Sequence, residues 1–261
     1  MSRDAGRRPT LLHYLEHGAR EFPKREAAWD LGESIDYAAL ARRVEECAAA
    51  LSAAGLRPGG RVAFLGTPGV QFWTSFLAVL RAGGIWLGLN PVQTERELAH
   101  VLGDARPTRI LVGADCTDAS RQALRRAAAE AGVDEPVELA AGSAGLWQGL
   151  QALVPATASA DDAESARMAA QGTCLIVYTS GSSGRPKGAL ITHLGLVENG
   201  WWLAKRMDFA PCRALANLPV NHIGCVGDVC ATTLVAGGTL VFMDRFDPLR
   251  AVELLRHQRI T

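Results

Sequence analysis

The chain is poor in lysine: only Lys24, Lys187 and Lys205 stand among its 27 basic side chains, and the rest are arginine, a bias of source that says nothing about function. It also has no net charge, since 27 Asp and Glu balance 27 Lys and Arg. That balance removes the global positive field behind non-specific nucleic-acid binding, so nucleic acid and anionic membrane are poor partners. No long apolar run exists. The most apolar stretch, residues 226–243, is interrupted by Asp228, three threonines and the Gly237-Gly238 pair, where a spanning helix would be continuous. No membrane span is expected. The six cysteines, Cys47, Cys116, Cys174, Cys212, Cys225 and Cys230, include no Cys-x-x-Cys pair, and a chain of this length needs no disulfide framework. A reducing cytoplasm fits best. The twin arginine Arg7-Arg8 is not followed by an apolar signal core, so no export signal is read. His222 with Cys225 and Cys230 falls short of a zinc pattern, and no metal site is assigned.

What is present is the apolar material of a large core: 48% of 261 residues are hydrophobic and 21% charged. Asp36 is a plausible N-cap for a helix with Leu40, Val44, Cys47 and Leu51 on one stripe, which Gly55 stops. A strand at 61–65, a helix over 70–81, a strand at 85–89, a capping box at Thr94-Glu95-Arg96-Glu97 opening a helix through Leu102, and a strand at 109–112 follow. Residues 155–172 shift to Ala, Ser, Thr and Asp and read as a linker. After it come a strand at 174–178, a Gly/Ser loop, a helix from His193, a strand at 215–218, a helix near Val226, a strand at 239–243 and a helix from Pro248 with Val252, Leu254 and Leu255 facing inward. Ile260 reads as the first residue of a further strand. This alternation predicts an α/β fold of mostly parallel sheets with flanking helices. The organisation expected is a first α/β subdomain with its linker over 1–171 and a partial second one over 172–261.

The residues richest in chemistry are Tyr178-Thr179-Ser180-Gly181-Ser182-Ser183-Gly184-Arg185-Pro186-Lys187-Gly188, delivered by the apolar strand Leu175-Ile176-Val177 and read as preceding a helix. Glycines let backbone N–H groups turn toward an anion, the hydroxyls of Thr179, Ser180, Ser182 and Ser183 add donors, and Lys187 supplies a mobile positive charge. This is not a Walker A loop, which requires glycine before the lysine and Ser or Thr after it. A plain Gly/Ser linker is the blander alternative, but a linker needs neither a strand leading straight into it nor a proline beside its lysine.

The segment resembles the Tyr-Thr-Ser-Gly-Ser/Thr-Thr-Gly-x-Pro-Lys-Gly loop of the adenylate-forming enzymes, a family that includes acyl-CoA synthetases, aryl-CoA ligases, luciferases and peptide-synthetase adenylation domains. Ser183 stands where the family more often has threonine. The similarity extends through Ile35-Asp36-Tyr37-Ala38-Ala39-Leu40, Leu80-Arg81-Ala82-Gly83-Gly84, Asn90-Pro91 and Leu218-Pro219-Val220-Asn221-His222-Ile223-Gly224. It implies the stacked-sheet large domain of that family. It also implies a two-step ligation: a carboxylic acid and ATP give an acyl-adenylate and pyrophosphate, then a thiol such as CoA takes the acyl group. By resemblance, Thr179, Ser180, Gly181, Ser182, Ser183, Gly184 and Lys187 hold the ATP phosphates, with Mg²⁺ as a further stabiliser, and Lys187 and His222 carry catalytic roles. His222 matches the position that borders the acyl pocket in the family, where many relatives have an aromatic residue at Asn221; a satisfied buried imidazole is the alternative reading of a lone histidine. The Leu-Pro-x-x-His form looks more like CoA ligases than peptide synthetases, which implies a place in fatty-acid or aryl-acid metabolism. Trp201-Trp202 reads as core packing, and His193 as a cap or surface residue.

The family's Tyr-Gly-x-Thr-Glu segment, its Thr-Gly-Asp and its C-terminal lysine are not found in these 261 residues. The chain is therefore expected to be an incomplete N-terminal portion, inactive alone, that needs a missing C-terminal half or self-associates at an exposed edge. The alternative is a non-catalytic remnant that binds nucleotide, phosphate or a partner.

Overall fold

Alternate residues along 61–65 point to opposite sides, and all five are buried, so this strand must lie between two apolar layers. The computed structural model describes residues 10–31, 33–140, 149–150, 172–179, 185–209 and 211–261, and it builds those layers as follows. In chain order the elements are α1 (Leu11–Glu21), β1 (Glu26–Asp30), β2 (Glu33–Asp36), α2 (Tyr37–Ala53), β3 (Arg61–Leu65), α3 (Val70–Arg81), β4 (Ile85–Leu89), α4 (Glu95–Ala105), β5 (Arg109–Val112), α5 (Asp118–Ala131) and β6 (Val137–Glu138). They continue with β7 (Thr173–Thr179), β8 (Lys187–Thr192), α6 (His193–Arg206), β9 (Arg213–Ala216), a π-helical segment (Gly224–Ala231), α7 (Thr232–Val235), β10 (Thr239–Phe242) and α8 (Pro248–His257).

One sheet has the order β6-β5-β3-β4-β7-β8, parallel except for the antiparallel edge pair β7/β8. The other has the order β2-β1-β10-β9, parallel except for β1/β2. Val62, Phe64, Trp86, Leu111 and Leu175 share a core with Ala28, Leu240 and Phe242 of the smaller sheet and with α1, α2 and α3. Ala63, Leu65, Leu87, Ile110 and Ile176 face the other way, onto α4 and α5. Behind the smaller sheet, Val241 and Met243 pack on Ala251 and Leu254 of α8. Phe72 of α3 ties the layers together, with ring centroids 6.2 Å from Phe64, 5.8 Å from Trp86 and 6.3 Å from Phe242. Fully burying rings of this size stabilises by about 1.5–3 kcal/mol each.

The expected caps are present: Ala39 N donates to Asp36 Oδ1 at 2.8 Å, and Thr94 and Glu97 close a capping box. Several expectations need correction. β9 spans 213–216, because Ala216 is the last residue paired with β10 and the chain then turns through Pro219. On α8, Leu254 is buried but Val252 and Leu255 are 47% and 48% exposed; the buried stripe is Ala251 with Leu254. Ile260 packs against the smaller sheet, and Thr261 N donates to Arg213 O at 3.1 Å beside β9. Five strands and helices were not expected: α1, β1, β2, β6 and β8. The linker at 155–172 lies outside the described residues apart from Gly172. Both sheets take strands from either side of it, β7 and β8 joining the larger sheet and β9 and β10 the smaller.

Among the described residues no helix is long and apolar enough to cross a membrane.

Candidate functional site

β7 is apolar from Cys174 to Val177, lies parallel to β4 with Leu175 opposite Trp86 and Ile176 opposite Leu87, and points its C-terminal end at the surface. Open α/β sheets place ligands at that end of their strands. The segment does not continue into a helix. Lys187 and Gly188 already belong to β8, which folds back antiparallel with Lys187 opposite Thr179 and Gly188 opposite Tyr178. Strand pairing thus runs to Thr179 on one side of the Gly/Ser loop and begins again at Lys187 on the other. β8 was hidden because most of its residues are exposed, as suits an edge strand.

Thr179 and Lys187 stand exposed on facing positions at the base of the hairpin, and Thr179 Oγ1 reaches Lys187 O at 3.5 Å. Ser180, Gly181, Ser182, Ser183 and Gly184 lie outside the described residues. The hairpin is braced from below by α4. His100 Nε2 lies 3.0 Å from Pro186 O, and Tyr178 Oη donates to Asp104 Oδ2 at 2.5 Å. His100 and Asp104 are four residues apart, so both project from one face of the helix and each holds one strand of the hairpin.

His222 comes to the same end of the sheet from another direction. The turn after β9 carries Val220 and Asn221 directly over Gly88 of β4, the strand beside β7. A Cβ on Gly88 would stand 2.5 Å from Val220 O and 2.8 Å from the Asn221 Cα, so only glycine allows the turn to sit there. His222 is exposed, and Gly224 N donates to its Nδ1 at 3.0 Å. In the neutral ring that bond places the proton on Nε2, which becomes the donor. The satisfied buried imidazole is therefore overturned. Beside it, Asn221 Oδ1 is buried with no hydrogen-bond partner among the described residues. A buried acceptor of this kind calls for a donor from water or a ligand.

Other candidates fall elsewhere. His193 is the first residue of α6, but the cap is Thr192, whose Oγ1 accepts from Gly195 N at 3.1 Å; burial lowers the affinity of the His193 ring for a proton. Trp201 and Trp202 are not core: Trp202 is 52% exposed, and the two rings meet edge to face with Lys205 over both. Cys225 and Cys230 are fully buried, and burial with a neighbouring Cys225 pushes the Cys230 thiol well up. Among the described residues no group of three or more His, Cys, Asp or Glu side chains could hold a metal ion. Three residues that shape this end of the sheet escaped the sequence reading: His100, Asp104 and Gly88. A polar i, i+4 pair and a glycine inside an apolar strand were the available signals.

The family model described as "AMP-binding enzyme" matches residues 15–261. Feruloyl-CoA synthase of Amycolatopsis sp is 34% identical over 251 residues, covering 93% of this chain and 46% of that protein. Indoleacetate–CoA ligase of Aromatoleum aromaticum is 30% identical over 256 residues, covering 95% of this chain and 46% of that protein. The ATP-bound crystal structure of MatB from Rhodopseudomonas palustris superposes with a TM-score of 0.77 at 30% identity, over 97% of this chain and 48% of that one. The chain spans about half the length of the curated relatives it matches.

Proposed function

The chain belongs to the AMP-binding enzyme family, and from that premise we propose that it forms the phosphate-holding part of an ATP-dependent carboxylic acid:CoA ligase. The observation that carries this reading is the meeting of two segments at one sheet end: the hydroxyl- and lysine-bearing hairpin that follows β7, and the His222 turn seated on Gly88 of adjacent β4. A carboxylate attacking the α-phosphorus of ATP approaches a centre already ringed by anionic oxygens. Preorganised donors are what such a step needs.

In this reading Thr179, Ser180, Gly181, Ser182, Ser183, Gly184 and Lys187 hold the β- and γ-phosphates, and Lys187 stays with them as pyrophosphate separates. The α4 brace at His100 and Asp104 positions the hairpin. The Nε2–H of His222 offers a hydrogen bond to the carboxylate or acyl oxygen, and Asn221 Oδ1 accepts from a donor on the bound acid. The small-molecule partner is a carboxylic acid, with CoA as the acceptor thiol. Mg²⁺ would travel with the triphosphate, because the described residues offer it no ligand cluster.

Calorimetric titration with ATP tests the reading. The 261-residue chain is expected to bind ATP saturably, and inorganic pyrophosphate should compete. Failure of both to bind would refute it. The same chain with ATP, Mg²⁺ and a carboxylic acid is expected to release no pyrophosphate, since the segments that the family uses for adenine and ribose are not among its residues. Positioning of that kind is worth up to roughly 7–11 kcal/mol of barrier. Robust acid-dependent release would favour an active assembly of the chain with itself.

A further inference from the structure

A second feature opens at the same edge of the sheets, away from the hairpin. In the larger sheet, β3 connects through α3 to β4 on one side, whereas β5 lies on the other side of β3 and connects through α5 outward to β6. The chain thus leaves β3 and β5 in opposite directions, and the crevice outside such a switch point is where open α/β sheets bind ligands. Here that crevice is a cavity of about 340 Å³, within the range of small-molecule sites. Its floor is Phe64 at the end of β3, its walls are the 67–72 turn into α3 and Ala114 and Asp115 after β5, and the β1/β2 hairpin with Asp244 closes it from the smaller sheet.

The lining specifies the ligand. Leu31, Ile35, Phe64, Val70 and Phe72 provide apolar surface, while Asp30, Glu33, Asp115 and Asp244 bring four carboxylates. Two positive groups stand near them: Arg250 pairs with Asp244 at 2.5 Å, and Arg121, which pairs with Glu138, donates to Gly113 O and Ala114 O in the loop that carries Asp115. Val70 N donates to Asp30 Oδ2 at 3.2 Å and Thr67 N to Asp115 Oδ2 at 2.9 Å, so Asp30 already occupies the start of α3 and an anion would find only repulsion. Burial pushes the Asp30 carboxyl up to about 6, with Asp244 and Asp115 adding to the rise and the Val70 N–H and Arg250 opposing it. A cation in the cavity would reverse that cost.

We propose that this cavity binds a small organic cation, an ammonium or guanidinium group on an apolar body, at a site separate from the phosphate hairpin. Benzylamine and phenylguanidine are suitable probes, with benzyl alcohol and benzoate as neutral and anionic counterparts of similar shape. Calorimetry on the 261-residue chain should show saturable binding of the two cations and clearly weaker binding of the other two. ¹³C-methyl chemical shifts should move at Leu31, Ile35 and Val70. Affinity should fall as pH drops through about 6, because Asp30 then takes a proton while the amine stays charged. Asp30→Asn keeps an oxygen for the Val70 N–H and should weaken benzylamine by at least about ten-fold, the loss of one hydrogen bond to a charged group. Should that variant fail to fold, Asp115→Asn, which keeps an oxygen for Thr67 N, should weaken binding by a similar factor. Equal binding of benzyl alcohol, methyl shifts confined to other residues, or a folded Asp30→Asn chain with parental affinity would overturn the proposal, as would absence of binding by both cations.

Discussion

The two regions at the C-terminal edge of the larger sheet make opposite use of one rule of fold. Both exist because parallel strands end there and their crossovers leave backbone and loops free to face outward. At β4/β7 the loops bring hydroxyls, an exposed Lys187 and a histidine, and Asp104, the carboxylate of α4 in the brace, is tied to Tyr178. At β3/β5 a cavity with aromatic walls gathers four carboxylates, Asp115 from the loop after β5 and Asp30, Glu33 and Asp244 from the smaller sheet. The sheets decide where ligands can sit, and a few loop residues decide their charge. An α/β edge therefore cannot be read as one site: its sign changes within a few strands.

The sharpest way to break this comparison is to exchange effects between the two ends. Lys187→Ala is expected to weaken ATP by about 100-fold in calorimetry, through loss of a charge-assisted phosphate contact. Asp30→Asn should leave ATP affinity unchanged; a comparable loss in both variants would show that the two openings act as one. Next in size is Gly88→Ala. Its methyl would press on backbone atoms of the His222 turn, which cannot swing away like a side chain, so the denaturation free energy should drop by roughly 2 kcal/mol. A neutral result in urea titration would mean that the turn is not seated on β4.

A pH titration of stability sharpens the acidic end. Asp30 binds its proton more tightly folded, near 6, than at the ordinary carboxylate value of 3.8, so folding gains from protonation at low pH and loses that gain as pH rises through about 4 to 6. Asp30→Asn removes the loss. Relative to the parent, the variant should be more stable by roughly 1–2 kcal/mol at pH 8 than at pH 4, with the partly solvated setting reducing the full linkage value. A pH-independent difference in thermal unfolding would remove Asp30 from the account. The smallest effect belongs to the brace at the basic end. Tyr178→Phe deletes the bond to Asp104 and should cost about 0.5–1 kcal/mol of stability, with a modest loss of ATP affinity if α4 indeed holds the hairpin.

Much of the architecture was legible because its signals are local. Asp36 and Thr94 with Glu97 mark helix starts by chemistry that acts within three residues, and each caps the helix predicted from it; the helix expected from Pro248 is capped by Asp247. Residues 61–65, 85–89 and 109–112 are apolar enough to be strands in any context, and their spans were read without error. α1 was not expected although Leu11, Tyr14, Leu15 and Gly18 form a buried stripe, because glycine and polar His13, Glu16 and His17 interrupt the pattern over only 11 residues. β1, β2 and β8 were missed for a physical reason: each is short and partly exposed, and lies at or beside a sheet edge where composition need not be apolar.

The candidate site divides in the same way. Glycine, serine and lysine at fixed spacing can be recognised in isolation, because the chemistry of holding phosphate is written in side chains only a few residues apart. Placing Lys187 in a strand opposite Thr179, putting His222 on the surface with Gly224 fixing its tautomer, and leaving Trp202 exposed required contacts the local chain does not encode. The sequence by itself determined the α/β class, most of the helices and strands, the Gly/Ser/Lys segment that follows β7 and the likeness to the family. Only the tertiary structure decided that β4 lies beside β7, that Gly88 lets the His222 turn settle there, and that carboxylates from three separate segments gather around one cavity. Pairing between distant strands depends on how whole layers bury their faces together, a sum over the chain that no short window contains.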